Sequence, residues 1–387
     1  MNTPFIAPPA TLAILGGGQL GRFFVAAAHE MGYTVWVLDP DADSPAGRIA
    51  DRHLCADYED RAALDDIAAH CAAVTTEFEN VPAAALAFLG QKIPARPSAA
   101  AVAICQNRVA EKQFLRDNGF PHGAFAVIRA ESDLETADIS LFPGILKLAR
   151  LGYDGKGQAA AESPEAAREA YRALGAEEAV LERRLSLDCE ISVVLARNAG
   201  GETSVFPLAE NRHARGILDV SIVPARIAPA LADEAREIAA RIAQQLNYVG
   251  VLAVEFFVSD GQIFVNEIAP RPHNSGHYTL DACVTNQYEQ QTRALCALPL
   301  GDARAHSDSV MVNLLGDLWF DENGKFQEPR WERLAAIPAL KLHFYGKRAA
   351  RPGRKMGHFT LLGHGTNSLL AQTDIAREHI GMDGGAE

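Results

Sequence analysis

The stretch AVEFFVSDGQIFVNEIAPRPHNSGH, residues 253 to 277, reads as two apolar β-strands joined by a tight turn near residues 259 to 262. It places Glu255 and Glu267 on neighbouring strands beside the amide Asn266, and Arg271, His273, Asn274 and Ser275 follow at once. Hard divalent cations such as magnesium take a few oxygen ligands and keep room for phosphate oxygens, which two carboxylates and an amide can supply. The register decides the chemistry. If Asp260 and Gly261 alone form the turn, Glu255 faces Asn266 and Glu267 lies on the other side. A three-residue loop centred on Gly261 sets Glu255 opposite Glu267, and this second register is the expectation.

The 387 residues, 48% hydrophobic and 22% charged, suit a globular chain of two or three domains. A net charge of −13 argues against a general nucleic-acid surface, because phosphate backbones repel an acidic protein. One short basic stretch, residues 347 to 355, stands apart. Six cysteines at positions 55, 71, 105, 189, 283 and 296 form no close pair, which fits neither a zinc site nor a disulfide framework and points to a reduced cytoplasm. The N-terminus carries no basic leader, and no apolar run reaches the roughly 18 residues a bilayer span needs. No export and no membrane are expected.

The first hundred residues alternate strand and helix. TLAIL (11 to 15), TVWVLD, CAAVTTE (71 to 77) and QKIPA (91 to 95) read as strands of a parallel sheet with crossover helices. GGGQLG at Gly16 to Gly21 has the GxGxxG spacing, and Asp39 ends the next strand where a ribose-binding acid would sit. That pattern supports a nicotinamide-dependent oxidoreductase; the competing interpretation is a tight turn with no ligand. Ligands gather at the carboxyl ends of such strands, which also points to Glu77 and the following Phe78, Glu79 and Asn80.

From Ser98 a helix carrying Asn107, Arg108, Glu111 and Lys112 is expected to run to near Gly119, its cations either functional or solvated helix surface. AFAVIR (124 to 129) and GILKLA (144 to 149) are strands, and Lys147 points away from Leu146 and Leu148, to solvent or to a phosphate-bearing cleft. GYDGKGQ (152 to 158) joins two strands; its glycines let the backbone fold over phosphates, Lys156 offers a charge, and the plain alternative is a mobile hairpin tip. In VLERRLSLDCEISVVLAR (180 to 197), Glu182 and Glu190 could meet an adenine amino group and ribose hydroxyls, or be exposed edge acids. His213 reads as a loop histidine or a ligand. Apolar residues at 231, 235, 238, 242 and 246 make the helix after Pro229 a packing element.

In order, GGGQLG, EFENVP, LK with GYDGKGQ, LER with CEIS, ENRHARGILDVSIVPA, VEFFV, VNEIAPRPHNSGHYTLDAC and YGKRAARPGRKMGHFTL resemble the 5-(carboxyamino)imidazole ribonucleotide synthases, ATP-grasp carboxylases of purine synthesis. The likeness spans residues 12 to 362, and the run from Asn266 to Cys283 is its most specific part. It implies an α/β (α+β overall) ATP-grasp fold: a Rossmann-like pre-ATP-grasp domain over residues 1 to 107, an ATP-grasp domain over 108 to 300 with a mobile lid at about 108 to 185, and a small β-rich domain over 301 to 387. It implies a homodimer as well.

The same resemblance implies ATP and magnesium as cofactors, with bicarbonate and 5-aminoimidazole ribonucleotide as substrates. ATP would touch Arg108, Lys147, the loop Gly152, Tyr153, Asp154, Gly155, Lys156, Gly157 and Gln158, then Glu182, Arg183, Arg184, Leu185, Glu190, His213, Asn266 and Glu267. Magnesium would sit on Glu255 and Glu267. Arg271 would grip bicarbonate and carboxyphosphate through its planar fork. His273, Asn274 and Ser275 would position that intermediate, with His273 a possible proton acceptor or a structural turn histidine. The ribonucleotide would lie among Gln19, Leu20, Glu77, Tyr153 and Asp154, its phosphate held by Lys347, Arg354 and Lys355. An oxidoreductase, another ATP-grasp ligase acting on a phosphorylated metabolite, and a non-catalytic nucleotide-binding regulator are the competing readings.

Overall fold

A computed structural model describes residues 5 to 150, 152 and 157 to 382. Tyr153, Asp154, Gly155 and Lys156, four of the expected ligand contacts, lie outside the described residues. The N-terminal part is a four-stranded parallel sheet ordered Arg52–Leu54, Thr34–Leu38, Thr11–Leu15, Ala73–Thr76. Its strands Thr11–Leu15 and Ala73–Thr76 are buried on both faces, as crossover helices require, while Arg52–Leu54 forms a partly exposed edge. The segment at residues 91 to 95 is not a strand: Ala95 makes a single bridge to Val74, because Pro94 has no N–H to extend a ladder.

Two further sheets follow. The strands Phe125–Ile128, Ala179–Arg183, Gly144–Leu148 and Gln158–Ala161 form a small antiparallel sheet in that order. A nine-stranded sheet runs from Gln262–Ala269 through Gly250–Ser259, Cys189–Arg197, Ala209–Ala214 and Ile217–Val223 to Asp308–Leu315, Lys355–Gly363 and Leu340–Phe344, with Thr203–Val205 paired beside Cys189–Arg197. The C-terminal strands thus continue the sheet that carries the hairpin. Helix Pro229–Gln245 packs Ala235, Ile238, Ala239 and Ile242 against it, as its spacing predicts. No helix among the described residues is long and apolar enough to cross a membrane.

The long helix expected from Ser98 is two helices, Ala99–Cys105 and Arg108–Asp117. Asn107 causes the break: its side chain accepts from the N–H groups of Val109 and Ala110 and starts a new helix there. The restart turns Arg108, Glu111 and Lys112 inward; Lys112 is 1% exposed, so it is not solvated surface.

The central hairpin reaches the expected pairing by a different route. Ser259 pairs with Gln262, so the turn has two residues, Asp260 and Gly261, with φ of 51° and 69°. Those positive values are those of a type I′ turn. Glu255 nevertheless pairs with Glu267, because a bulge between Glu255 and Phe256 admits Asn266 as an extra residue. The three-residue turn is therefore corrected to a two-residue turn plus a bulge at the site itself.

Candidate active site

A cleft of about 870 Å³ opens where the three sheets meet, and most of the expected residues line it. Gln19 and Leu20 open the helix Gln19–Glu30 and Glu77 follows the strand Ala73–Thr76 of the N-terminal part, Lys147 and Gln158 come from the small sheet, and Glu190, His213, Glu255, Asn266, Glu267, Arg271, His273 and Asn274 from the large one and its sequel. Lys347, Arg354 and Lys355 face it from the C-terminal part, together with Arg351, which the sequence reading left out. Gly152, Gly157, Glu182, Arg183, Arg184, Leu185 and Ser275 are not in its wall. Arg183 and Arg184 are exposed, Arg184 pairing with Glu162 at 2.7 Å.

The bulge lets Asn266 and Glu267 both reach the cleft beside Glu255. Arg108 Nη1 lies 3.1 Å from Glu267 Oε2. Burial opposes ionisation of Glu267, yet the cations Arg108, Lys147 and Arg271 hold its pKa below the ordinary carboxylate range. Glu255 has the opposite fate: burial and the charge on Glu267 push it up to about 7. Asn266 Oδ1 is buried without a partner. Two carboxylates and an orphaned amide oxygen on one wall are a donor set that a hard cation would complete.

His273 accepts at Nδ1 from the Ser275 N–H, 3.3 Å away, and Ser275 Oγ lies 2.8 Å from the same nitrogen. The ring proton is thereby placed on Nε2, 3.4 Å from Glu255 Oε1. Burial, then the charges of Arg271 and Lys355, pull the His273 pKa well below 6.5, so the ring is neutral. Its cleft-facing nitrogen is a donor in this arrangement, not the acceptor expected of it. Ser275 is fully buried and continues to Ser192 Oγ at 2.7 Å, so it orients His273 rather than touching a ligand. Buried Gln287, which the sequence did not reveal, clamps the His273 backbone through two hydrogen bonds of 2.8 Å. Asn274 has both side-chain polar atoms buried and unpartnered at the cleft.

Arg271 closes on Glu79, its Nε 3.2 Å from Oε2 and its Nη2 in contact with the same oxygen. The fork is thus already bound to an oxyanion. Lys147 is buried rather than solvent-facing; Glu182 sits between Lys147 Nζ at 3.1 Å and Lys112 Nζ at 2.9 Å. Those lysines hold the Glu182 pKa down to about 2 against its burial. Its carboxylate is therefore committed to lysines rather than to an adenine. His213 lies on a strand, not in a loop, with Nδ1 3.1 Å from Glu190 Oε2.

The first glycine loop is closed to a dinucleotide. The N–H of Gly17 donates to Asp39 Oδ2 at 2.7 Å, that of Gly18 to Glu77 Oε1 at 2.8 Å, and that of Gly21 to Glu77 Oε2 at 3.0 Å. A methyl group on Gly18 would lie 2.8 Å from Glu77 Oε1, so the glycine admits this carboxylate. Asp39 also accepts from Tyr58 at 2.8 Å and is not offered to a ribose.

Three family models match the chain in order: a ribonucleotide synthetase pre-ATP-grasp domain at residues 10–106, an ATP-grasp domain at 113–288, and a phosphoribosylaminoimidazole carboxylase C-terminal domain at 309–372. N5-carboxyaminoimidazole ribonucleotide synthase of Bacillus subtilis is 40% identical over 387 residues, covering 100% of this chain and 99% of the relative. The chain belongs to the N5-carboxyaminoimidazole ribonucleotide synthase family. The Brucella melitensis synthase is 43% identical over 367 residues, covering 93% of this chain and 98% of its own. A crystal structure of an N5-carboxyaminoimidazole ribonucleotide synthetase with ADP superposes at a TM-score of 0.89, with 40% identity over 98% of this chain and 99% of that one. The Aspergillus clavatus synthase, in complex with ADP and 5-aminoimidazole ribonucleotide, superposes at 0.87 with 29% identity over 96% of this chain and 98% of that one. As a synthase of this family the chain is an ATP-grasp carbon–nitrogen ligase, and an oxidoreductase reading leaves the carboxylate hairpin without a role.

Proposed function

We propose that this enzyme carboxylates the exocyclic amine of 5-aminoimidazole ribonucleotide, using ATP and bicarbonate, and releases ADP and phosphate. The observation that carries this reading is the cleft itself, where the Glu255, Asn266 and Glu267 wall meets Arg271, His273 and the basic segment at residues 347 to 355. The full-length likeness to synthases whose structures hold ADP and 5-aminoimidazole ribonucleotide supports the substrate assignment.

Bicarbonate is a poor electrophile. Its oxygen attacks the γ-phosphorus of ATP, the bond to the β-phosphate oxygen breaks, and ADP leaves with that electron pair. The carboxyphosphate formed carries a carbon open to attack. The amine bonds to that carbon directly or after collapse to carbon dioxide; phosphate departs and the amine loses a proton. Arg108 and Lys147 offset negative charge on the nucleotide phosphates, and Arg271 exchanges the Glu79 carboxylate for the one-carbon oxyanion when substrate enters. His273 donates from Nε2 into the same space, and Lys347, Arg354 and Lys355 take the ribonucleotide phosphate. Glu255 and Glu267 would hold magnesium, which when bound would supply neutralisation of phosphate charge. The same reading has the enzyme acting as a homodimer in the cytoplasm, and light scattering on the purified chain measures its mass.

An ADP-release assay with and without each co-substrate tests the assignment. Release is expected to require both bicarbonate and 5-aminoimidazole ribonucleotide; release that ignores the ribonucleotide would refute it.

A further inference from the structure

Helix Arg108–Asp117 carries Arg108, Glu111, Lys112 and Leu115 at the spacing of one face. That face meets the strand Gln262–Ala269, which ends the nine-stranded sheet. An edge strand ordinarily leaves a row of backbone groups unpaired. Here the Val265 N–H donates to the Pro121 carbonyl at 2.9 Å, the Asn266 carbonyl accepts from Lys112 Nζ at 3.1 Å, and the Ile268 N–H donates to Glu111 Oε1 at 2.6 Å. Both helix side chains are 1% exposed.

These bonds bracket the bulge. The Asn266 carbonyl precedes Glu267 and the Ile268 N–H follows it, so the backbone on both sides of Glu267 is tied to consecutive helix residues. The two-residue turn by itself would pair Glu255 with Asn266 and send Glu267 to the opposite face, since strand side chains alternate. The extra residue of a bulge forfeits ladder bonds, and the helix supplies replacements at that place. Lys112 also reaches Glu182, which holds Lys147, so the same ammonium links the bulge to the small sheet.

We infer that Glu111 and Lys112 are positioning residues for the carboxylate pair: they stabilise the bulged register that brings Glu267 across from Glu255 and thereby set divalent-cation affinity without touching the ion. The inference rests on the reading that Glu255 and Glu267 hold the cation. It is tested on the full chain with ADP present, with Mn²⁺ as an electron-paramagnetic probe and thermal melts as a check of folding. Lys112→Met and Glu111→Leu are expected to weaken Mn²⁺ binding by about 10- to 100-fold, the range for residues that orient metal ligands. Glu111→Gln keeps an oxygen for the Ile268 N–H and is expected to retain the affinity. Should Lys112→Met fail to fold, the Glu111→Leu and Glu111→Gln pair decides. Wild-type affinity in Glu111→Leu, or equal loss in Glu111→Gln and Glu111→Leu, overturns the positioning role while Glu255→Gln still abolishes binding. Wild-type affinity in Glu255→Gln overturns the carboxylate-pair reading itself, and the positioning role with it.

Discussion

The imidazoles of His277 and His358 stack with centroids 4.4 Å apart and planes 5° from parallel. Phe23 of the N-terminal part meets both rings edge-on, and His343 stacks on the far side of His358 at 4.7 Å. Tyr288 and Tyr345 each take one Nδ1, at 2.7 and 2.9 Å, while His343 pairs with Asp281 at 2.8 Å. This aromatic nest joins all three parts of the chain. Burial, then the neighbouring imidazoles, lowers the pKa of His277 and His358 well below 6.5. A base whose folded pKa is depressed stabilises the fold above its unfolded pKa, and that stability is lost as pH falls. Melting temperature is therefore expected to drop from pH 7 to pH 5.5. His358→Gln should melt lower at pH 7 but show a shallower drop; parallel curves for the two proteins would remove the nest as the cause.

Arg271 and Glu79 form a pair that is 14% and 19% exposed, so cutting either partner leaves the other poorly solvated. Arg271→Ala is expected to cost roughly 1–3 kcal/mol of stability, an amount typical of an unsatisfied buried group. Adding Glu79→Ala should recover most of it without recovering bicarbonate-dependent turnover. A double-mutant cycle on melting and turnover separates the roles: turnover restored along with stability would make Arg271 structural only.

Lys147→Met tests the small sheet's contribution. Glu182 keeps Lys112 as its second partner, so the fold should hold. Turnover with ATP is expected to fall on the order of a hundredfold, as when one preorganised charge is removed from a transferring phosphoryl group. Steady-state kinetics against ATP check this, with a melt as control; a loss explained by unfolding would count against a role in phosphate binding.

The α/β architecture was legible because hydrophobic period and glycine turns act locally: the strand and helix alternation from residue 11 to residue 90 and the apolar stripe after Pro229 need only near neighbours. The cluster from Glu255 to Asn274 was legible for the same reason, being nearly contiguous in sequence. What escaped was set by distant partners. Nothing local marks Asn266 as a bulge, since the groups that stabilise it, Lys112 and Glu111, lie over 150 positions away. GGGQLG reads as a ligand loop until Glu77 and Asp39 are seen occupying its amides. Gln287 is one polar residue on a helix, and only the tertiary fold shows it holding the His273 backbone. The Asn107 break, by contrast, had a local signal, a good N-cap residue ahead of Arg108.

Glu255 offers a test of the metal site that does not require turnover. Its pKa of about 7 reflects burial first and the negative Glu267 second. An acid with a raised folded pKa gives its full stabilising contribution below its unfolded pKa, near 4.3, and loses it as pH rises through the folded value. In the metal-free protein the ionised pair therefore weakens the fold above pH 7, and a divalent cation that needs both carboxylates ionised must displace the proton on Glu255. Mg²⁺ binding in the presence of ADP is expected to release about half a proton at pH 7, more at pH 6 and little at pH 8. Apparent affinity should rise through the same interval. Calorimetry in two buffers of different ionisation enthalpy measures the proton count. Glu255→Gln should abolish the release and, lacking the ionised pair, should melt above the metal-free wild type at pH 8. Proton release unchanged in that variant would place the titrating group elsewhere and take Glu255 out of the metal site.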